Sequence, residues 1–511
     1  MSFRSLWLFV LFALSFASAP AAQGGYAKQD FPRYGLEDLP VPKRWDAIPV
    51  EPTEKRVVLS WAEELPDERD RKARRRQRPT LDLVVLDLSG KQAEDEGTDS
   101  DAVVSVLRYL RSLSRLGEWT QLGETEELDE EAGRTRRIRR FRGKGPGASG
   151  VTWVFEWNTA DRVQFLLGRC HEDDLDELAK IWRHMATRVK LVDPVEPDMS
   201  KWVRFYERKP KFLDPAFRLE ARKRLEDVKG WKAEDTENYL IVYSTKDKAL
   251  IRVLKRELEA IRRAYEEIFP PTEPVRNVSV LRVCKDKAEY QAYGGPAGSG
   301  GYWSPVAEEL VFFDYEDEGR KRGSGKANSR IVLYHEALHQ YVHYAAGDLA
   351  PHSWFNEGTG DFFSGARFDS SGSVSKIGIN PWRIEAIQYF VENGRTLSLG
   401  DLFEASKREF YAKADVCYAQ AWSLVYFLRT SREVRKHPKW SRIHPRYYEA
   451  LKEEWAARRL VLEEDGVAPY TAPYLEAQAE ARDRALEIAL FQVDLPELER
   501  AWAAFVHELD D

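Results

Sequence analysis

The sequence predicts an α+β fold in two parts: a mixed N-terminal domain, then a second domain in which a small sheet gives way to helices. Three observations carry this. At 511 residues the chain exceeds what one hydrophobic core supports. Hydrophobic residues make up 43% of it and aromatics 12%, enough for packed cores and too many for a disordered chain. Strand-like segments alternate with helical-period segments up to about residue 328, after which the pattern is mainly helical.

Residues 1–22 read as a signal peptide: Arg4, an apolar run from Leu6 to Phe16, then small residues at Ala19-Pro20-Ala21. The run falls short of the roughly 20 residues a membrane-spanning helix needs, and no other stretch is apolar enough. The mature chain is therefore expected to be exported, periplasmic or extracellular, with no integral membrane segment. Residues 23 to about 55, rich in Pro, Gly and charge, read as an extended lead-in. VVLSWAEE, TLDLVVLDLSG and VTWVFEWNTADRVQFLLGRC have strand character. Asp101–Leu116 and residues 173–189 are spaced as helices, the second with Asp173 or Asp174 as its cap. Together these make residues 23–195 an α+β domain in which His171 and His184 stand alone and nothing carries chemistry.

A proline-bearing linker and a charged helix at 214–229 fill residues 196–235. The second domain, 236–511, opens with a strand at 238–245, an amphipathic helix at 249–269 stopped by Pro270-Pro271, and a strand at 277–284. After the Gly-rich GGPAGSGG turn, Glu309 to Asp314 reads as an edge strand.

A net charge of −7 with both signs interspersed gives no reason to expect nucleic acid as a partner. The Arg-rich run Arg69–Arg78 follows Glu63, Glu64, Asp67 and Glu68 and reads as a charge-balanced face or loop. Cys170, Cys284 and Cys417 form no CxxC or Cys/His cluster; one bridge plus a free thiol, or three buried thiols, both fit.

Four of the nine histidines lie between His335 and His352. HEALH places His335 and His339 four apart, on one face of a helix, where both imidazoles can meet one Zn²⁺. Glu336 stands beside them as a general base for an activated water. Asn328 or Ser329 can cap this helix, and Ile331, His335, Leu338 and Val342 trace one of its faces. Eighteen residues after His339, WFNEGTGDFF offers Glu357 as the third metal ligand. Asp361, four further on, can hold the free ring N–H of a ligand histidine. His343 lies ~6 Å of helix beyond His339, which suits a supporting or surface role. His352 precedes the second motif and can assist an oxyanion.

HExxH followed by NEGxxD resembles the gluzincin zinc metallopeptidases, the superfamily of thermolysin-like and aminopeptidase-like enzymes, and is most similar to secreted bacterial members of largely uncharacterised function. The resemblance covers roughly residues 238–430. It implies a thermolysin/aminopeptidase-like catalytic domain with zinc at His335, His339 and Glu357, Glu336 as base, and a peptide or protein substrate laid along the edge strand. DVCYAQAWSLVYFLR resembles the helix bearing the transition-state tyrosine, which makes Tyr418 the oxyanion donor. Gln420-Ala421 stand where the family has Lys-Gly, so Tyr411 remains a substitute and a core tyrosine the plainer reading. Val342 and Ala345 stand where a metzincin needs Gly and His. No GxMEN-like stretch is present, which favours endopeptidase over aminopeptidase activity. The alternative is a non-catalytic zinc-binding or protein-binding envelope protein that retains the peptidase fold; the intact Glu336 speaks against it.

Overall fold

The computed structural model describes residues 25–51, 54, 56–63, 79–87, 102–113, 118–131, 134–145, 150–158, 162–296, 298–314, 324–469 and 471–509. Residues 1–22, read from the sequence as a signal peptide, and the Arg69–Arg78 run lie outside the described residues. The chain divides into two units, residues 1–48 with 56–197, and residues 49–55 with 198–511.

In the first unit the elements run β1 (Tyr26–Phe31), β2 (Leu36–Pro42), β3 (Trp45–Ile48), β4 (Val57–Glu63), β5 (Thr80–Asp87), α1 (Ala102–Leu113), β6 (Glu118–Gln121), β7 (Glu126–Glu131), β8 (Arg134–Lys144), β9 (Gly150–Asn158), β10 (Arg162–Cys170), α2 (Leu175–Arg188) and β11 (Lys190–Leu191). Seven strands form an antiparallel sheet in the order β3-β4-β5-β10-β9-β8-β6, with β7 also paired to β8. Val106, Tyr109 and Leu110 of α1 pack on Phe141, Val154 and Phe165. Residues of alternate phase meet α2 instead: Trp153 lies 5.9 Å from Trp182, and a Cβ on Gly168 would stand 2.6 Å from that indole. The expected lead-in is not extended coil. Its residues form β1, β2 and β3, with β2 central in a small sheet β1-β2-β11. Because β11 covers only Leu36 and Glu37, the rest of β2 has an open side that tolerates Pro40 and Pro42.

The second unit holds α3 (Ser200–Glu207), α4 (Pro215–Glu226), β12 (Lys232–Asp235), β13 (Tyr239–Tyr243), α5 (Lys248–Ile268), β14 (Ser279–Cys284), α6 (Lys287–Ala292), β15 (Gly301–Ser304), β16 (Glu309–Phe313), α7 (Ser324–Ala345), α8 (Ser353–Ser364), β17 (Ala366–Phe368), β18 (Val374–Ile377), α9 (Ile384–Glu392), α10 (Leu399–Glu404), α11 (Lys407–Ala412), α12 (Ala414–Thr430), α13 (Arg432–Lys436), α14 (Trp440–Glu464), α15 (Ala472–Leu490) and α16 (Leu495–His507). Asp247 starts α5 by accepting the N–H groups of Ala249 and Leu250 at 2.8 and 3.0 Å. α5 crosses between the parallel strands β13 and β14, and the mixed sheet runs β12-β13-β14-β16-β15. Glu309–Phe313 is therefore an interior strand, and the edge is Gly301–Ser304, which pairs antiparallel with it. Glu309 is buried against Arg282 at 2.8 Å, an inward charge pair unsuited to an open edge. All three cysteines are free, buried thiols.

Candidate metal centre

α7 begins at Ser324, so Asn328 and Ser329 lie within the helix and do not cap it. Its rotation is fixed from the core side. The Tyr265 hydroxyl donates to the Tyr334 carbonyl at 2.6 Å, the Tyr341 hydroxyl to the Phe269 carbonyl at 2.5 Å, and Gln340 Nε2 to the Val280 carbonyl at 3.1 Å. With those positions committed, His335 and His339 turn toward α8, their ring centroids 4.6 Å apart and their planes nearly perpendicular.

α8 approaches closely because two of its residues have no side chain. A Cβ on Gly360 would stand 2.7 Å from His335 Nδ1, and one on Gly358 would stand 2.5 Å from the Ala421 carbonyl oxygen of α12. The helix thus fits between α7 and α12 and delivers Glu357 to the histidines. Glu357 Oε2 lies 3.1 Å from His335 Nε2 and 3.6 Å from His339 Nε2. One ligand atom from each of the three residues falls within 4.8 Å of the others, so this trio can hold a metal ion.

The other ring nitrogen of each histidine is occupied. His335 Nδ1 donates to Asp361 Oδ1 at 3.1 Å, and His339 Nδ1 to Asn356 Oδ1 at 3.0 Å. Each bond keeps the proton on Nδ1 and leaves the Nε2 lone pair for the metal, the tautomer a ligand requires. Asp361 is itself held: Arg383 Nε donates to its Oδ2 at 2.6 Å, and Asn380 Nδ2 to its carbonyl at 3.1 Å. Burial lowers the His335 pKa, but the bonds to Asp361 and Glu357 raise it further and prevail. Burial raises the Glu357 pKa, while the two histidines hold it well below the usual carboxylate range.

Glu336 points to the sheet edge, where its Oε2 accepts the Trp303 backbone N–H at 3.0 Å. Tyr411 of α11 donates its hydroxyl to Glu357 Oε1 at 2.8 Å. Tyr418 lies beside it, its ring 6.3 Å from that of His335 and under the Arg383 guanidinium at 4.8 Å. Burial and the neighbouring Glu357 push the Tyr418 phenol upward, so it stays a proton donor. Of the two tyrosines named from the sequence, Tyr411 bonds Glu357 directly and Tyr418 stands beside Tyr411, their rings 6.1 Å apart.

The remaining histidines are engaged elsewhere. His343 Nε2 lies 3.2 Å from Asp348 Oδ1, with its ring against Trp303. His352 does not serve the oxyanion position: its Nδ1 meets the Tyr447 hydroxyl at 2.9 Å and its Nε2 meets Asp483 at 3.3 Å, so both ring nitrogens are taken. Three residues of the site went unread in the sequence. Asn356 was adjacent to Glu357 and had a signal in its place within the NEG triplet. Arg383 and Trp303 join the site only through tertiary packing.

Residues 331–437, which include all of α8 and α7 from Ile331 onward, match a family described as a protein of unknown function (DUF1570). No curated protein matches the chain. Among solved structures, the solution structure of cyanobacterial PsbP (CyanoP) from Synechocystis is similar at 14% identity and a TM-score of 0.26, over 33% of this chain and 93% of that one.

Proposed function

We propose that this chain is an exported, zinc-dependent endopeptidase of the gluzincin type. The observation that carries the reading is the donor set: two Nε2 atoms with fixed tautomers and one carboxylate, converging from α7 and α8 with Glu336 alongside. Two imidazoles and a carboxylate suit zinc and leave a fourth position open. Bound zinc would acidify a water molecule towards pKa ~7 and polarise the scissile carbonyl.

The chain's own groups supply the rest. Glu336 accepts the proton of the attacking water and passes it to the leaving amine. The substrate strand lies along β15, the true sheet edge, in place of the Glu309–Asp314 segment named from the sequence. An arriving peptide takes over the Trp303 region now bonded to Glu336, which frees that carboxylate for proton transfer. The Tyr418 hydroxyl, with Tyr411 as its neighbour on Glu357, donates to the developing oxyanion.

The test is metal analysis combined with peptide cleavage, with and without chelator. Wild type is expected to hold about one zinc per chain and to lose activity to the chelator. Glu336→Gln is expected to keep the metal and lose about 10²- to 10⁴-fold in rate. Cleavage at wild-type rate by that variant defeats the mechanism, and a metal-loaded wild type that cleaves nothing supports the binding-protein alternative.

A further inference from the structure

Away from the metal centre, the segment joining α12 to α14 carries a charge anomaly. Residues 432–442 hold five basic side chains, Arg432, Arg435, Lys436, Lys439 and Arg442, against the single acidic Glu433, in a chain of net charge −7. All five are exposed. Several arginines elsewhere on the helical surface are matched within their own helix, as Arg458 is by Glu454 and Arg484 by Glu487. Among the described residues, none of the five has a carboxylate partner. Arg432, Arg435 and Lys436 share one side of α13, opposite the buried Val434.

A second observation places an apolar tip beside this cluster. Lys439 Nζ donates to the Gln492 carbonyl at 2.6 Å, which ties the turn between α15 and α16 to the basic segment. That turn presents Phe491, 71% exposed, next to Gln492 with a left-handed φ of 57°. A side-chain-bearing residue in that conformation is strained, so the turn is held by its surroundings. The other rings nearby are not on offer: His437 stacks on Trp440 at 4.0 Å, and Trp440 is buried.

An unmatched basic cluster attracts an anionic partner, and one protruding aromatic ring gains by leaving water. A single-strand reader would need successive rings on which bases stack, and among the described residues of this corner only Phe491 is presented. We infer that this corner is a membrane-contact site for an anionic lipid surface: Phe491 enters the headgroup layer while the five basic side chains stay among the phosphates. The site is independent of the metal centre and of any peptidase activity.

The experiment is sedimentation of the full chain with vesicles of phosphatidylcholine, alone or in equal parts with phosphatidylglycerol. The quantity read is the excess partition onto the anionic vesicles. Wild type is expected to show a clear excess that falls as salt shortens the screening length. Replacing two charges, Arg435→Gln with Lys436→Gln, is expected to lower it about 30-fold. Phe491→Ser is expected to lower it roughly tenfold. All three positions are exposed, so an unchanged thermal midpoint confirms that folding is intact. Equal partition of wild type onto both vesicle types, or an excess that neither variant reduces, overturns the assignment. Sensitivity to the charge variant alone, with poly-glutamate or single-stranded DNA displacing the protein from vesicles, reassigns the patch to a soluble polyanion and equally overturns the lipid site.

Discussion

The two flanks of α8 treat histidine in opposite ways. On the α7 side, His335 is buried between the carboxylates of Asp361 and Glu357, and its pKa is driven up. On the α14 side, His444 is buried too, but its ring stacks on Phe355 at 4.6 Å and its Nε2 meets only the Thr359 hydroxyl, at 3.0 Å. Burial, with Arg429 nearby, drives its pKa well down, and its Nδ1 has no partner among the described residues. Burial is common to both, so burial does not make a ligand. What marks the candidate ligand is an acceptor on Nδ1, which fixes the tautomer, together with a carboxylate facing Nε2.

The largest test of this contrast is removal of the ligands themselves. Glu357→Ala and His335→Ala are each expected to abolish stoichiometric zinc, whereas His444→Leu retains it, by metal analysis of purified protein. Zinc retained in full by both ligand variants would break the comparison at its root.

A smaller effect separates the supports. Asp361→Ala loosens the His335 ring and is expected to weaken zinc by about 10- to 100-fold in a chelator competition. Thr359→Val, on the opposite flank, is expected to leave affinity unchanged. Equal effects from the two would mean that helix stability, and not ring orientation, governs the metal.

The glycines sharpen the same point. Gly360→Ala and Gly358→Ala both overpack close contacts and each is expected to cost about 1–3 kcal/mol of stability by denaturant titration. Only Gly360→Ala presses on a ligand ring, so it alone should also lower zinc affinity.

The least effect lies in pH. Below pH ~6.5 the unfolded chain protonates His444 while the folded chain resists. Stability from this group is therefore complete above pH ~6.5 and falls as pH drops, by up to about 1.4 kcal/mol per pH unit. The slope difference between wild type and His444→Leu isolates it; parallel pH profiles would show that His444 protonates in the folded state.

What could be read in the sequence follows the range over which the information is stored. His335, Glu336, His339, Glu357 and Asp361 lie within two helices, and helical periodicity alone puts each pair on one face. The long amphipathic α5 and the β9–β10 hairpin are equally local, and their expected spans fall close to the observed ones. Strand order is different. Glu309 to Asp314 passes as a strand on its own residues, but whether it borders solvent depends on β14 and on β15, which begins at Gly301, the last residue of the Gly-rich turn. The prolines of β2 misled for the same reason, since tolerance of proline depends on whether a neighbouring strand is present. Arg383 reaches Asp361 from the segment that follows β18, a contact no spacing rule encodes.

α8 carries Asn356, Glu357, Thr359, Gly360 and Asp361 without interruption, and each meets a different neighbour around the helix axis. Their arrangement is a matter of angular phase. One residue inserted between Glu357 and Asp361 would rotate everything after it by ~100°. Asp361 would then swing off His335, a side chain would meet the ring where Gly360 now yields, and the whole downstream face would turn away from α12. A change of length is better placed outside the helix, in the exposed β17–β18 turn after it, because residues 346–352 before it are bonded to α14 and α15 through Gly347, Asp348 and His352. Within α8, substitutions act one at a time, but a single insertion disconnects ligand, support and packing together.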